Sequence, residues 1–217
     1  MDSKTGKYIV IEGPIGVGKT SLAKRLSASF GSDLLLEQAE ENPFLEKFYR
    51  NPGYGAFPTQ LFFLFQRARQ MAELRQGDMF KPVWVSDFLL DKDRLFARMN
   101  LDNDEYLLYE QVFERLAIDA PEPDLVIYLQ ASVDVLLERI TLRGIEYEQS
   151  IKRDYLERLM DSYSRFFHDY DRSPLLIVNA GEIDLVRNET DYEQLFDVIC
   201  KVDGGRHYFN PGTRSLV

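Results

Sequence analysis

Eight consecutive residues carry the strongest chemical signal in the chain. Gly13-Pro14-Ile15-Gly16-Val17-Gly18-Lys19-Thr20 has the spacing GxxxxGK[ST] and lies between a short apolar run and a stretch with helical spacing. Glycines let successive backbone N–H groups converge on phosphate oxygens, and a helix starting at the same point aims its positive end at the anion. The Lys19 ammonium can reach β- and γ-phosphates, and the Thr20 hydroxyl is placed to ligate Mg²⁺. The string therefore reads as an ATP-binding loop.

Phosphoryl transfer also needs a carboxylate near the accepting hydroxyl and cations for the charge on the moving group. Glu37 follows the second apolar run and Asp87 the third. Ligands of parallel sheets gather at such strand ends, so either could hold Mg²⁺ or accept a proton. Either could also be a helix cap or solvated turn, and Glu37 has acidic neighbours in Glu40 and Glu41. Arg139 and Arg143 are four apart on one helix face and could reach a phosphate together. Gly144 then lets the chain leave the helix, so residues 143–152 read as a small arginine-bearing lid; a solvated face salted with Glu138 would look similar. Gln60 and Arg67 also share a face, an amide and a guanidinium fork suited to reading a nucleobase edge. Phe57, Phe62, Phe63 and Phe65 could wall that base, although aromatics at helical spacing are usually core.

These side chains must be positioned by a sheet. Tyr8–Ile11, Leu34–Leu36, Val83–Val85, Leu125–Leu129 and Leu175–Val178 are unbroken apolar runs, as expected of strands buried on both faces. Helical spacing is expected over Thr20–Phe30, Phe57–Arg75, Leu107–Ile118, Val133–Leu142, Arg153–Tyr170 and Asp191–Lys201. The alternation predicts an α/β fold, a five-stranded parallel sheet flanked by helices. From Asp203 the tail (203–217) is turn-rich and reads as either a docking strap or a mobile end.

With 217 residues, 45% of them hydrophobic, one domain spanning 1–217 is expected. The net charge of −10 argues against a nucleic-acid polymer as partner. One cysteine and two histidines exclude a disulfide framework and a His- or Cys-rich metal centre. No run approaches a membrane span and the first residues lack a signal-peptide layout, so a cytoplasmic location is expected. A GTPase guanine reader is missing: the nearest string, Leu90-Asp91-Lys92-Asp93, lacks its first residue. A single phosphate loop in a small chain points to a small-molecule kinase.

The chain resembles the deoxynucleoside kinase family over roughly residues 8–180. The likeness is densest in Val126-Ile127-Tyr128-Leu129-Gln130-Ala131, in Glu138-Arg139-Ile140-Thr141-Leu142-Arg143-Gly144 with Glu148-Gln149, and in Asn42-Pro43-Phe44-Leu45-Glu46-Lys47-Phe48-Tyr49. The resemblance implies a P-loop NTPase fold, ATP and Mg²⁺ as cofactors, a deoxynucleoside acceptor and a homodimer through helices beside the sheet. It places Glu37 on the carboxylate that activates the 5′-hydroxyl, with Gln38 where the family usually has proline. Tyr49 and Glu148 fall on positions that hold the sugar 3′-hydroxyl, Gln60 on the base-reading glutamine, and Arg67 with Asp93 on a base-contacting pair. That pair leans towards deoxyadenosine or deoxyguanosine. Asp87 falls on the acid of an Asp/Glu-Arg-Ser motif, next to metal and hydroxyl. Two residues depart from the pattern: Phe88 and Ile145 stand where the family places arginines. Arg94, Lys92 or Arg153 could substitute. The departures keep two other readings open beside a deoxynucleoside kinase: a nucleotide-binding sensor with weakened catalysis, and a nucleoside monophosphate kinase.

Overall fold

The computed structural model describes residues 7–76, 83–116, 120–185 and 187–211. The five apolar runs become β1 (Lys7–Glu12), β2 (Asp33–Leu35), β3 (Val83–Ser86), β4 (Leu125–Gln130) and β5 (Leu175–Asn179). All pair in parallel. β1 is central, with Val10 opposite Ser86 of β3 on one side and Val126 of β4 on the other. Both central strands are buried from Tyr8 to Glu12 and from Leu125 to Leu129, as helices on both faces require.

The expected five strands are corrected to six. β6 (Arg206–Phe209) pairs parallel with β5, Leu175 opposite Arg206 and Val178 opposite Phe209, and the order is β2-β3-β1-β4-β5-β6. An edge strand is paired on one side only, so Arg-His-Tyr-Phe alternates exposed with half-buried residues and shows no apolar run. Arg206 also donates to the carbonyls of His168 and Tyr170 at 2.9 and 3.0 Å, at the end of a helix where a cation is favoured.

The helices are α1 (Lys19–Phe30), α2 (Leu45–Arg50), α3 (Pro52–Gln76), α4 (Lys92–Asn100), α5 (Asn103–Leu116), α6 (Val133–Arg143), α7 (Arg153–Asp169) and α8 (Glu189–Ile199). α3 starts earlier than its apolar spacing suggested, with Pro52 in the first turn, where a missing N–H costs nothing. Ala117 and Ile118, the end of the helix expected over Leu107–Ile118, lie outside the described residues, as do residues 1–6 and the tail beyond 211. α6 opens on a Ser132 cap that accepts from the Val135 N–H and closes on Gly144 at φ 70°. α4 escaped the pattern because two of its three buried residues, Lys92 and Asp93, are charged. α7 docks on β4 through aromatic stacking, with Tyr128 and Phe167 centroids 4.0 Å apart. No described helix is long and apolar enough to cross a membrane.

Candidate active site

The loop between β1 and α1 folds as its glycines require. A Cβ on Gly13 would meet the Leu129 carbonyl oxygen at 2.5 Å, so the first glycine is what lets the loop lie against β4. Gly18 caps α1 at φ 107° without any side-chain hydrogen bond, and the first turn holds no acidic residue. The N–H groups there keep their affinity for an anion. Lys19 curls over the same loop, donating to the carbonyls of Gly13 (2.8 Å) and Pro14 (3.2 Å). Burial, reinforced by the nearby charge of Lys92, pushes the Lys19 ammonium below its ordinary pKa.

Two carboxylates meet at the ends of β2 and β3. The Thr20 hydroxyl donates to Asp87 Oδ2 at 2.5 Å, and the Glu37 backbone N–H donates to Asp87 Oδ1 at 2.7 Å. Burial raises the Asp87 carboxyl above its ordinary value despite these donors. Glu37 is the opposite case. Burial alone would raise it, but Arg67 and Lys92 overcome that and hold it at about 2. Arg67 donates through Nε at 3.0 Å and more closely through Nη2, and Lys92 Nζ lies 3.2 Å from Glu37 Oε2.

Arg67 also pairs with Asp93 at 2.8 Å, and the Tyr109 hydroxyl donates to Asp93 at 3.0 Å. Asp93 is fully buried behind the guanidinium rather than at the cleft wall. Gln60, 2% exposed, lines the cleft with its Oε1 unpartnered. Tyr49 lies parallel to Tyr147, ring centroids 6.1 Å apart, which brings α2 against the helical turn Glu146–Ser150. At the end of α6, Arg143 pairs with Glu148 of that turn at 2.5 Å. Arg139 makes a different set of contacts: its fork donates to the carbonyls of Val17 (3.1 Å), Ala180 (2.8 Å) and Ile183 (3.3 Å), tying the phosphate loop to the turn after β5. One cleft of about 950 Å³ is lined by the phosphate loop together with Glu37, Tyr49, Gln60, Arg67, Asp87, Lys92, Arg139, Arg143 and Glu148.

With that geometry established, comparison with known proteins separates one family from the wider set of phosphate-loop enzymes. The model of the family described as deoxynucleoside kinase matches residues 9–202. The chain belongs to the deoxynucleoside kinase family. Members of this kinase family are phosphotransferases with a nucleoside hydroxyl as acceptor. Among its relatives is the deoxyguanosine kinase of Bacillus subtilis (strain 168), 35% identical, the match covering 88% of this chain and 95% of the relative. The deoxyadenosine/deoxycytidine kinase of the same organism is 31% identical over 89% of this chain and 92% of its own length. Among solved structures, deoxyadenosine kinase from M. mycoides with bound dATP superposes with a TM-score of 0.77 at 26% identity, covering 89% of this chain and 99% of that one.

Two residues, one behind this kinase's cleft and one in its wall, were less legible than the rest. Glu12, the buried last residue of β1, accepts from the N–H groups of Gly13 and Leu89, both at 2.8 Å, and from the Tyr163 hydroxyl at 2.9 Å. Its only sequence signal is an acid closing an apolar strand just before the glycines. Of the three cations that could stand in for the arginines missing at Phe88 and Ile145, only Lys92 lines the cleft. Arg94 pairs with Glu110 and Arg153 with Asp134, both half-exposed. Phe88 itself is fully buried, its ring 6.0 Å from the Arg67 guanidinium.

Proposed function

We propose that the chain transfers the γ-phosphate of ATP to the 5′-hydroxyl of a deoxynucleoside, deoxyadenosine or deoxyguanosine by preference, in nucleotide salvage. The observation that carries this reading is the convergence of the phosphate loop, the Thr20–Asp87 pair and Glu37, each hydrogen-bonded to the next within one cleft. Lys19 and the loop N–H groups would hold the β- and γ-phosphates. The Thr20 hydroxyl and Asp87 carboxylate, hydrogen-bonded to each other, are adjacent hard oxygen donors of the kind Mg²⁺ takes. No group of three or more His, Cys, Asp or Glu that could cage a metal occurs among the described residues, so phosphate and water would complete its shell. When bound, the ion supplies positive charge to the phosphate oxygens.

On the acceptor side, a carboxylate held at about 2 stays ionised throughout the physiological range. Such a weak base contributes mainly by accepting a hydrogen bond from the 5′-hydroxyl and aligning it. That is sufficient where the transition state is loose and the hydroxyl proton leaves late. Arg143, swinging with the lid, would meet charge developing on the phosphoryl group. Arg139 would hold the loop in shape. Gln60 and Arg67, backed by Asp93, would read the base, and Tyr49 with Glu148 the 3′-hydroxyl. The relatives described above, a deoxyguanosine kinase and a deoxyadenosine/deoxycytidine kinase, support a purine acceptor. We further read the chain as a single-domain, cytoplasmic homodimer.

The test is a coupled assay with Mg·ATP and each of the four deoxynucleosides at matched concentration, run on the parent and on Glu37→Gln. Turnover with a purine deoxynucleoside is expected, with kcat of the variant lower by about 10²-fold and ATP affinity within about threefold. No turnover with any acceptor would remove the reading, and unchanged turnover of the variant would remove Glu37 from it.

A further inference from the structure

We propose that Lys92 is a positioning residue for the transfer, its ammonium holding the Glu37 carboxylate in line with the accepting hydroxyl and supplying the cationic neighbour that residue 88 does not. The proposal rests on the kinase reading above.

The fold explains why the charge is at 92 and not at 88. After β3 the chain turns tightly: the Phe88 N–H is bonded to Ser86 Oγ at 3.2 Å, and Ser86 Oγ donates to the Phe88 carbonyl at 3.0 Å. That turn carries the Phe88 side chain into the interior, where it is fully buried. The first residue of α4 then returns to the cleft, and Lys92 Nζ lies 3.2 Å from Glu37 Oε2 and 3.5 Å from Glu12 Oε2.

Nothing local favours a lysine there. A cation at a helix N-terminus opposes the helix dipole, and a side chain only 3% exposed loses nearly all its hydration. Only its partners compensate, and the two are not equivalent. Glu12 already accepts three hydrogen bonds from Gly13, Leu89 and Tyr163, which fix both of its oxygens. It would remain satisfied without Lys92 and acts as a rigid post. Glu37 is the partner that lines the cleft. Its Oε1 is taken by Arg67, whereas Lys92 holds Oε2. With one oxygen on each cation, the carboxylate plane is defined by two supports on separate helices. Removing Lys92 leaves Arg67 alone, and Glu37 gains freedom to rotate away from the hydroxyl.

Steady-state kinetics of Lys92→Met, Lys92→Arg, Glu37→Gln and the double variant Lys92→Met/Glu37→Gln test this, with ATP affinity by fluorescence titration and Tm for each. Lys92→Met should lose about 10²-fold in kcat, with the deoxynucleoside KM and ATP affinity within about threefold. Lys92→Arg should recover to within about tenfold of the parent. In the double variant Lys92→Met should cost little beyond Glu37→Gln, because groups acting as a unit are not additive. A kcat for Lys92→Met within about threefold of the parent, a folded Lys92→Arg as poor as Met, or additive losses would each overturn the proposal. Should Lys92→Met fail to fold, Lys92→Gln replaces it under the same criteria. No turnover in the parent would sink the kinase reading and this inference with it. Turnover in the parent that is indifferent to residue 92 would sink this inference alone.

Discussion

At the scale of single residues, the cleft sorts its carboxyl groups by their neighbours. Glu37, between two cations, is held at about 2, whereas burial raises the Glu148 carboxyl in spite of Arg143. A carboxyl whose pKa is raised in the fold binds its proton more tightly there than in the unfolded chain. Its ionisation therefore weakens the fold as pH rises through its ordinary value of 4.5 and up to the folded one. Glu148→Gln, the neutral isostere, should have a higher Tm than the parent at pH 7 and an equal one at pH 4, read by thermal melts at both. If Glu148 holds the sugar, the same substitution should raise the deoxynucleoside KM by about tenfold or more. Stability gained where binding is lost is the usual trade at functional positions. An equal or lower Tm at pH 7 would show that Arg143 outweighs burial. Residue types made much of this site readable: Lys19 and Thr20 follow from the glycine spacing, and Glu37 and Asp87 from their place after apolar runs. What could not be read is which charges pair. Lys92, Arg94 and Arg153 look alike in a string, and only folding turns one inward and two outward.

At the scale of elements, legibility followed burial. β1, β3, β4 and β5 announce themselves because strands covered on both faces must be apolar without interruption. β6 and α4 do not, for opposite reasons. β6 is an edge, so half of its residues face water and its polar composition resembles a turn. α4 buries charges, so its apolar periodicity is broken at Lys92 and Asp93. The edge strand nevertheless contributes beyond its own pairing, because Arg206 caps the carbonyls at the end of α7 with two hydrogen bonds. A cation at that position is worth about 1 kcal/mol, which in a chain of this size corresponds to ~2–4 °C. Arg206→Ala should therefore lower Tm by about that amount while leaving turnover unchanged, since Arg206 is not among the residues that line the cleft. A larger loss, with protease sensitivity near residue 203, would mean that Arg206 anchors the whole strand to the sheet.

At the scale of the whole molecule, the net charge of −10 and the individual charges of the cleft have different jobs. The overall charge disfavours polyanions and keeps copies apart at long range, whereas the cleft sets Lys19, Arg67, Lys92, Arg139 and Arg143 among carboxylates that include Glu37, Asp87 and Glu148, so its charges act locally. Close association must then come from apolar surface. α3 and α5 pack on each other through Leu64 and Tyr109, and they carry Phe65 (52% exposed), Leu107 (60%) and Leu108 (49%) on their outer surfaces. Scattered exposed apolar residues are ordinary, but three large ones on two packed helices give a second copy something to bury. If this is the homodimer face, Leu107→Glu/Leu108→Glu places four carboxylates in the interface of a chain that is already acidic. Light scattering coupled to gel filtration should then show a dimer for the parent and a monomer for the variant, with the monomer returning partly towards dimer at high salt as the repulsion is screened. A dimer in both would move the interface away from α5, and a monomer in both would remove the homodimer altogether. Because α3 also carries Gln60 and Arg67, loss of the interface should raise the deoxynucleoside KM more than it affects ATP affinity, which depends on the loop at the other end of the cleft.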